Sequence, residues 1–533
     1  MSIPFPNERL TELQAEFAKG WQDLLSQSHK GELANPKDRR FSGDAWAANP
    51  AFLFMANAYM LSAETMQKMV DAVDMPEHTR EKLRFATMQW LDAMAPSNFL
   101  ATNPDAQHAL VQSKGMSLVQ GVQNFYGDLQ KGYLSQTDES KFTVGENLAI
   151  TDGQVVFENP LFQLVQYTPL TEKVHEIPLL IVPPCINKFY ILDLQPENSL
   201  VRYAVEQGFT VFLVSWRNPQ PSDTDGILQA TWADFLQSGV LQAVDVVKDI
   251  TQSEKINALG FCVGGTLLAS ALALAKARGQ DPVNSLTLLT TLLDFEDTGV
   301  IDIFIDEANV RRREQQLGGG GIMPARELAT TFSFLRPNEL VWNYVVANYL
   351  KGQTPPAFDL LYWNSDGTNM PGPFFAWYLR NTYLENNLKV PGKVVVDGTP
   401  VSLSDLTMPT YLYGSREDHI VPWKSAYASS GVLKGPMQFV MGASGHIAGV
   451  VNPPAKKKRN YWVSPGSVNP ATLTADEWLE KSEQHPGSWW PHWSSWLASH
   501  SGAHEKTAIK TLGNARYQPL ESAPGRYVKV RSA

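Results

Sequence analysis

The stretch INALGFCVGGTLLAS, residues 256–270, places Cys262 between Gly260 and Gly264, where the residue types could support nucleophilic chemistry. A Gly-x-nucleophile-x-Gly pattern between an apolar run and a helical run is typical of a nucleophile elbow, because small glycines permit the sharp strand-to-helix turn. Gly265 lets the helix begin close to the sheet. The pattern predicts that Cys262 is a nucleophile. The alternative is a small buried thiol with a packing role only.

Such an elbow needs an acid and a histidine later in the chain, each after a strand. Asp418 follows the apolar run PTYLYGS, and His446 follows MQFVMGAS. The order nucleophile, acid, histidine is that of the α/β-hydrolase fold, so we expect these side chains to meet at the carboxyl edge of a parallel sheet. Asp294 is the alternative acid and His419 the alternative base, while Glu417 is expected to be solvated.

Cys185, in IVPPCINKFY, follows the first strong strand candidate. In this fold that position contributes a backbone N–H to an oxyanion hole, and we expect it to be paired with the N–H of Val263. The Cys185 thiol is expected to have no chemical part. A thiolate beside an imidazole attacks thioesters readily and yields another thioester, which favours acyl transfer over hydrolysis.

The elements that must position these residues follow from the hydrophobic pattern. From about residue 171, apolar runs alternate with amphipathic stretches such as WADFLQSGVLQAVDVVKDI, which predicts βαβ units and a parallel sheet. A segment at about residues 295–409 interrupts the series and is typical of a cap. Residues 1–170 are predicted to be a mainly helical domain, from runs such as FLFMANAYMLSAETMQKMVDAV. Residues 171–533 are predicted to be an α/β-hydrolase domain with the cap inserted before the acid strand.

Composition narrows the function. The net charge of −10 argues against nucleic acid as a partner. Two cysteines are too few for a disulfide framework or a structural zinc site, and the glycine run 318–321 lacks the GK[ST] of a phosphate loop, so we expect no cofactor and no metal. The N-terminal MSIPFPNERLTELQ has no leader pattern, and no run approaches the roughly 20 apolar residues that span a bilayer. A cytoplasmic location is expected.

With these residues assembled, the chain resembles the polyhydroxyalkanoate synthase family, in particular the single-subunit class that polymerises short-chain monomers. The resemblance is carried by PPCINKFYILDLQPENSLVRY, INALGFCVGGT, LLTTLLDFEDTGV, FSFLRPNELVWNYVVANYLKG, FDLLYWNSDGTNMPGP, YGSREDHIVPW and GASGHIAGVVNPPAKKKR. It is looser in the N-terminal part, where RRFSGDAWAANP is similar to the family's non-catalytic domain. The resemblance assigns the family's nucleophile, acid and histidine to Cys262, Asp418 and His446.

The resemblance implies a reaction and a setting. The substrate would be (R)-3-hydroxyacyl-CoA, with 3-hydroxybutyryl-CoA as the expected monomer, and the products CoA and a polyester stored as a cytoplasmic granule. It implies a homodimer, a cap that rearranges to admit substrate, and an N-terminal domain that serves the granule, a granule-associated protein or the dimer. Whether His446 or Asp418 activates the 3-hydroxyl of the next monomer stays open.

Three further features of the sequence could take part in binding the substrate or the polymer, although two of them also have a purely structural interpretation. The basic run at residues 456–459 could attract the CoA phosphates or be a solvated turn. Ala448 could shape the acyl pocket. A tryptophan cluster near the C-terminus favours packing, with polymer contact as the alternative; its members are Trp489, Trp490, Trp493 and Trp496.

Two other classes of function compete. A thioesterase, lipase or polyester depolymerase would keep the fold and the three site residues but transfer the acyl group to water. A non-catalytic granule-surface protein would bind polymer through aromatic patches and would not need a nucleophile, acid and histidine in this order.

Overall fold

The computed structural model describes residues 7–464, 466 and 472–532. Their contacts divide the chain into two compact units. The smaller unit holds the described residues up to Lys141 together with Leu328–Leu361, and the larger unit holds Phe142–Glu327 and the described residues from Tyr362 onward.

The smaller unit is helical. Its helices before Lys141 are α1 (Asn7–Lys30), α2 (Asp44–Ala48), α3 (Pro50–Ala72), α4 (Glu77–Ala93), α5 (Pro104–Gln112) and α6 (Met116–Lys131). The Asn49 side chain caps α3 by accepting the N–H of Ala51 at 2.9 Å, and Pro50 fits the first helical position because it has no N–H to leave unpaired. Phe41 and Trp46 pack edge to face in its core.

The larger unit is built on a mixed sheet of eleven described strands in the order β15-β14-β13-β12-β7-β6-β4-β5-β2-β1-β17. Its strands are β1 (Gly153–Glu158), β2 (Phe162–Tyr167), β4 (Leu179–Val182), β5 (Val211–Trp216), β6 (Ile256–Phe261), β7 (Val283–Leu289), β12 (Thr410–Ser415), β13 (Met437–Gly442), β14 (Asn460–Val463), β15 (Glu483–Pro486) and β17 (Glu521–Ser522). Short pairs outside the sheet are β3 (Lys173–Val174) with β16 (Lys506–Thr507), β8 (Ile322–Met323) with β9 (Met370–Pro371), and β10 (Val394–Val396) with β11 (Thr399–Val401).

The strands from β5 through β4, β6, β7 and β12 to β13 pair in parallel, whereas the strands beyond both ends of that run pair antiparallel. Parallel strands require crossover helices, which cover both faces of the sheet, and nearly every residue of these strands is buried. The later helices are α7 (Leu200–Glu206), α8 (Trp232–Asp234), α9 (Gln242–Thr251), α10 (Val263–Ala277), α11 (Glu307–Leu317), α12 (Ala325–Leu335), α13 (Asp359–Ser365), α14 (Gly372–Tyr378), α15 (Trp423–Ala428), α16 (His446–Val450), α17 (Ala475–Glu480) and α18 (Trp490–Ser499).

The predicted fold class, an α/β-hydrolase sheet preceded by a mainly helical region, is confirmed. The division between units differs from the predicted boundary at residue 170, because β1 and β2 extend the sheet by pairing next to β5. Leu328–Leu361, within the predicted cap, groups with the smaller unit. None of the described helices combines the length and apolar character needed to cross a membrane.

Candidate active site

Cys262 lies at the turn between β6 and α10 and has φ 54° and ψ −128°. An L-residue in this region is strained by about 1–3 kcal/mol, and such strain persists only where surrounding contacts impose it. Here the Cys262 N–H donates to the carbonyl of Leu289 at 2.9 Å, which ties the turn to the end of β7. The thiol is partly exposed. The backbone thus directs the side chain out of the sheet, as an elbow requires.

The three predicted glycines allow neighbouring backbone segments to approach closely, and none of them has a positive φ. A Cβ on Gly260 would lie 2.4 Å from the Cα of Gly265, and one on Gly264 would lie 2.4 Å from the carbonyl oxygen of Pro183. A Cβ on Gly265 would lie 2.1 Å from the Oγ1 of Thr291. These glycines let α10 begin directly against the sheet, while the strained dihedral falls on Cys262 itself.

His446 and Asp418 form a buried pair. His446 is the first residue of α16 after β13, and its Nδ1 lies 2.7 Å from Oδ2 of Asp418. The other carboxylate oxygen, Oδ1, accepts the N–H groups of Ile420 at 2.8 Å and Val421 at 2.9 Å. Because Nδ1 is engaged with Asp418, Nε2 is the nitrogen left for the Cys262 thiol, which is near enough to raise the pKa of the imidazole. The structure therefore brings Cys262, His446 and Asp418 together.

The charges around His446 favour its protonated form. Burial lowers the pKa of the imidazole, but the Asp418 carboxylate and the Cys262 sulfur outweigh burial and raise the pKa of His446 to about 10. The ring also stacks on Phe261, with centroids 5.7 Å apart. A proton passed from the thiol to this imidazole would therefore be held there by a fixed carboxylate.

Cys185 lies on the loop after β4, with its side chain buried. Burial raises the pKa of the Cys185 thiol far above its ordinary value, and the nearby Cys262 adds to the shift. The thiol is therefore protonated at neutral pH and a poor nucleophile. Val263 is the first residue of α10, so its N–H has no acceptor within the helix. An oxyanion hole from the Val263 and Cys185 N–H groups stays a prediction.

The alternative acid and base are placed differently. Asp294 is engaged with the Nζ of Lys389 at 2.8 Å and the Nδ2 of Asn386 at 2.8 Å. His446, not His419, makes the pair with Asp418. Glu417 is exposed, as expected.

Two tyrosines near the nucleophile, the buried Tyr378 and the half-buried Tyr383, could not be identified from the sequence. Tyr378 ends α14, and its ring packs edge to face on that of Tyr383, with the centroids 5.6 Å apart. Burial raises the pKa of both phenols, and Cys262 contributes to each shift, so both hydroxyls lie in the electrostatic surroundings of the thiol. The aromatic richness of the predicted cap was a signal for this lining, but it could not single out these two side chains.

The structure also shows the surroundings of the basic run and of the tryptophan cluster. Residues 456–459 are exposed, and the Arg459 guanidinium donates a hydrogen bond to the carbonyl of Ala448. Trp489, Trp490 and Trp493 are buried, and Trp489 packs on Tyr413 at a centroid distance of 4.4 Å. The buried tryptophans therefore serve packing.

A cysteine elbow with a histidine and an acid after later parallel strands defines a protein of the α/β-hydrolase class. In agreement, the family model for the alpha/beta hydrolase fold matches residues 178–453. A second model, that of the poly-beta-hydroxybutyrate polymerase (PhaC) N-terminus, matches residues 37–204.

Relatives specify the family. The chain is 56% identical to the poly(3-hydroxyalkanoate) polymerase subunit PhaC of Cupriavidus necator, over 97% of this chain and 87% of that one. It is 41% identical to the PhaC subunit of Rhizobium meliloti, over 98% and 86% of the two chains, and 38% identical to poly(3-hydroxyalkanoate) polymerase 1 of Ectopseudomonas oleovorans, over 93% and 87%. The chain belongs to the poly(3-hydroxyalkanoate) polymerase family.

Proposed function

We propose that this protein polymerises (R)-3-hydroxyacyl-CoA into a polyester and releases CoA, with Cys262 carrying the acyl group as a thioester. The observation that carries the proposal is the strained, partly exposed Cys262 beside the buried pair of His446 and Asp418, in which Cys262 and Asp418 both raise the pKa of His446. Family membership supports the polymerase activity. We propose 3-hydroxybutyryl-CoA as the monomer because the resemblance is to the short-chain class.

In the first step, His446 accepts the proton of the Cys262 thiol at Nε2. The thiolate attacks the thioester carbonyl carbon, and the oxyanion accepts the N–H groups of Val263 and Cys185. The bond between the carbonyl carbon and the CoA sulfur then breaks, and the imidazolium returns its proton to the CoA thiolate. The acyl group is now on Cys262, and the enzyme is neutral again.

In the second step, the 3-hydroxyl oxygen of another (R)-3-hydroxyacyl-CoA attacks the acyl-Cys262 carbonyl carbon. The new ester bond forms as the bond from that carbon to the Cys262 sulfur breaks, and the proton taken from the hydroxyl returns to the Cys262 thiolate. That proton must first go to a base, and the contacts of Asp418 favour His446 for this role. Both carboxylate oxygens of Asp418 are occupied, one by His446 and one by backbone N–H groups, and its side chain is 0% exposed. Asp418 would therefore act through His446 as a positioning residue.

The Asp418→Asn variant distinguishes the two roles. If Asp418 only positions His446, acylation and elongation slow in parallel. If Asp418 is itself the base for elongation, the variant still releases CoA in a burst of one equivalent per enzyme but forms no polymer. Stopped-flow detection of CoA during the first turnover separates these outcomes.

We also propose that the protein acts as a cytoplasmic homodimer associated with its polyester granules, on the ground of the family resemblance. Size-exclusion chromatography with light scattering tests the dimer. Fluorescence of a tagged chain in cells that accumulate polyester tests the granule association.

The reaction itself is tested with purified protein and (R)-3-hydroxybutyryl-CoA, following free thiol and the fate of the acyl group together. Thiol release with insoluble polyester, both lost in Cys262→Ala, is the expected result. Thiol release with free hydroxy acid would instead identify a thioesterase. No release from acyl groups of several lengths would favour a non-catalytic granule protein.

A further inference from the structure

The loop at residues 183–188, which follows β4 and carries Cys185, is held by hydrogen bonds to two of its backbone carbonyls. The Thr368 N–H donates to the carbonyl of Ile186 at 3.0 Å. The Trp363 Nε1–H donates to the carbonyl of Lys188 at 2.7 Å. A segment of the larger unit that begins at Trp363 thus pairs with this loop.

The side chain of Lys188 adds a buried ionic contact. Its Nζ lies 2.8 Å from Oδ1 of Asp366, and the two side chains are 3% and 2% exposed. The same ammonium donates to the carbonyl of Val530 at 2.7 Å, which the Asn218 side chain also contacts at 2.9 Å. The Tyr190 hydroxyl donates to Oδ2 of Asp366 at 2.9 Å. One lysine thereby joins the β4 loop, Asp366 and the C-terminal tail.

Such an arrangement is costly unless every member is paired. Burial lowers the pKa of Lys188, while the Asp366 carboxylate opposes this shift. Removing one member of a buried pair leaves an uncompensated charge, which is strongly destabilising. The tail is fixed at a second point, where the Ser532 hydroxyl donates to the carbonyl of Gly367 at 3.0 Å. The contacts therefore restrict the loop more than an exposed ion pair would.

We propose that Lys188, Asp366 and residues 530–532 form a clamp that positions the loop carrying Cys185, and so aims its N–H at the oxyanion of the acyl-transfer reaction. This inference rests on the proposed function. Lys188 acts as a positioning residue, because its ammonium is used up by Asp366 and Val530. An oxyanion donor acts only within hydrogen-bonding distance of the developing charge, so a small displacement of this loop slows acylation.

Two variants release the clamp in different ways. A chain ending at Lys529 removes the Val530 carbonyl together with Arg531, whose Nε lies 3.6 Å from Oδ1 of Asp366. The double variant Lys188→Met, Asp366→Asn removes the buried ion pair, and the charge that remains, Arg531, has a side chain that is 45% exposed. Val530→Ala is the matched control for the first, because it keeps the backbone carbonyl. Lys510→Met is the control for the second, since Lys510 is an exposed lysine.

The readouts separate positioning from general damage. Alkylation of Cys262 by iodoacetamide displaces iodide at a saturated carbon and forms no oxyanion, whereas CoA release from (R)-3-hydroxybutyryl-CoA does. Loss of one oxyanion donor costs about 10²–10³-fold in kcat, so a displaced donor is expected to cost about 10–100-fold. Both clamp variants should show this fall in kcat, with KM and the alkylation rate within about twofold of wild type. Both controls should match the wild type.

Several results would overturn the clamp. The clamp is wrong if a folded clamp variant keeps the wild-type kcat. It is also wrong if the alkylation rate of Cys262 falls in proportion to kcat. If the double variant does not fold, the shortened chain decides. A shortened chain that no longer melts cooperatively would make the tail a stability element and reject the positioning role. A wild-type protein that is alkylated at Cys262 but releases no CoA would instead refute the proposed function, and the clamp with it.

Discussion

The two loops that carry cysteines give the same side chain opposite properties. Cys262, after β6, has a left-handed φ of 54°, is partly exposed and is near enough to the His446 imidazole to raise its pKa. Cys185, after β4, is buried, and burial raises the pKa of its thiol. Because the thiolate is the reactive form, these surroundings decide which sulfur can act as a nucleophile.

The loops also differ in how they are held. At Cys262 the backbone is strained, and glycines allow α10 to approach the Pro183 carbonyl. At Cys185 the loop is fixed by contacts from distant segments, including Lys188 to Asp366 and the Trp216 Nε1–H to the Pro183 carbonyl at 2.9 Å. A nucleophile needs a projecting side chain, whereas an oxyanion donor needs a fixed backbone, and each loop meets one of these needs.

The largest loss of activity should come from removing the nucleophile on the Cys262 loop. Cys262→Ala is expected to lower CoA release by at least about 10⁴-fold, since no acyl-enzyme can form. Initial rates from (R)-3-hydroxybutyryl-CoA measure this, and a thermal melt checks that the variant is folded. Retention of a tenth of the activity or more would mean that the attacking group lies elsewhere.

The second-largest loss of activity is expected from replacing Asp418, which pairs with His446. Asp418→Asn should lower kcat by about 10²–10⁴-fold, because the imidazole loses the carboxylate that orients it and stabilises its charge. It should also lower the pKa of His446, because the Asp418 carboxylate raises it in the wild type. Histidine-selective NMR over a pH series should show the His446 proton leaving near pH 10 in the wild type and at lower pH in the variant.

The same shift has a consequence for stability. A raised folded-state pKa stabilises the protein below the unfolded value near 6.5, and this contribution is lost as the pH rises through about 10. The free energy of unfolding of the wild type should therefore fall relative to that of Asp418→Asn across this range. Parallel curves for the two proteins would show that Asp418 does not stabilise the charged imidazole.

A third change tests the close approach of α10 to the β4 loop. Gly264→Ala would place a Cβ 2.4 Å from the Pro183 carbonyl oxygen, a backbone atom that cannot move alone. We expect a loss of about 3 kcal/mol in the free energy of unfolding, as for overpacking of a tight core. Gly127→Ala is the control, since a Cβ there meets no atom within 4 Å and it lies within α6. It should gain about 0.5–1 kcal/mol. Equal urea midpoints for both variants would contradict the close approach.

The Cys262 side of this comparison could be predicted from sequence to a large extent. The strand–Cys–helix pattern and the chain order of Asp418 and His446 are local signals, and short, mostly apolar runs between helical stretches identify parallel strands. The grouping of Leu328–Leu361 with the smaller unit carries no such signal, because it depends on contacts between segments far apart in sequence.

The clamp that holds the Cys185 loop could not be predicted from the sequence. Lys188, Asp366 and Val530 are separated by long stretches of chain, and an isolated lysine or aspartate in a sequence is most often solvated. Tyr378 and Tyr383 present the same difficulty, since only the folded cap brings them near Cys262. Local patterns predict which residues end a strand, but pairings across the fold need the structure.

The smallest effect is expected from the second thiol. Cys185→Ala keeps the backbone N–H and removes only a buried sulfur, so CoA release should fall less than about fivefold, and stability should fall by about 1 kcal/mol for the small cavity. Mass spectrometry of iodoacetamide-treated native wild type should find the label on Cys262, with Cys185 labelled only after unfolding in urea, because its thiol is buried and protonated. A loss of activity as large as that of Cys262→Ala in a folded variant would assign the Cys185 sulfur a chemical role and remove the contrast between the two loops.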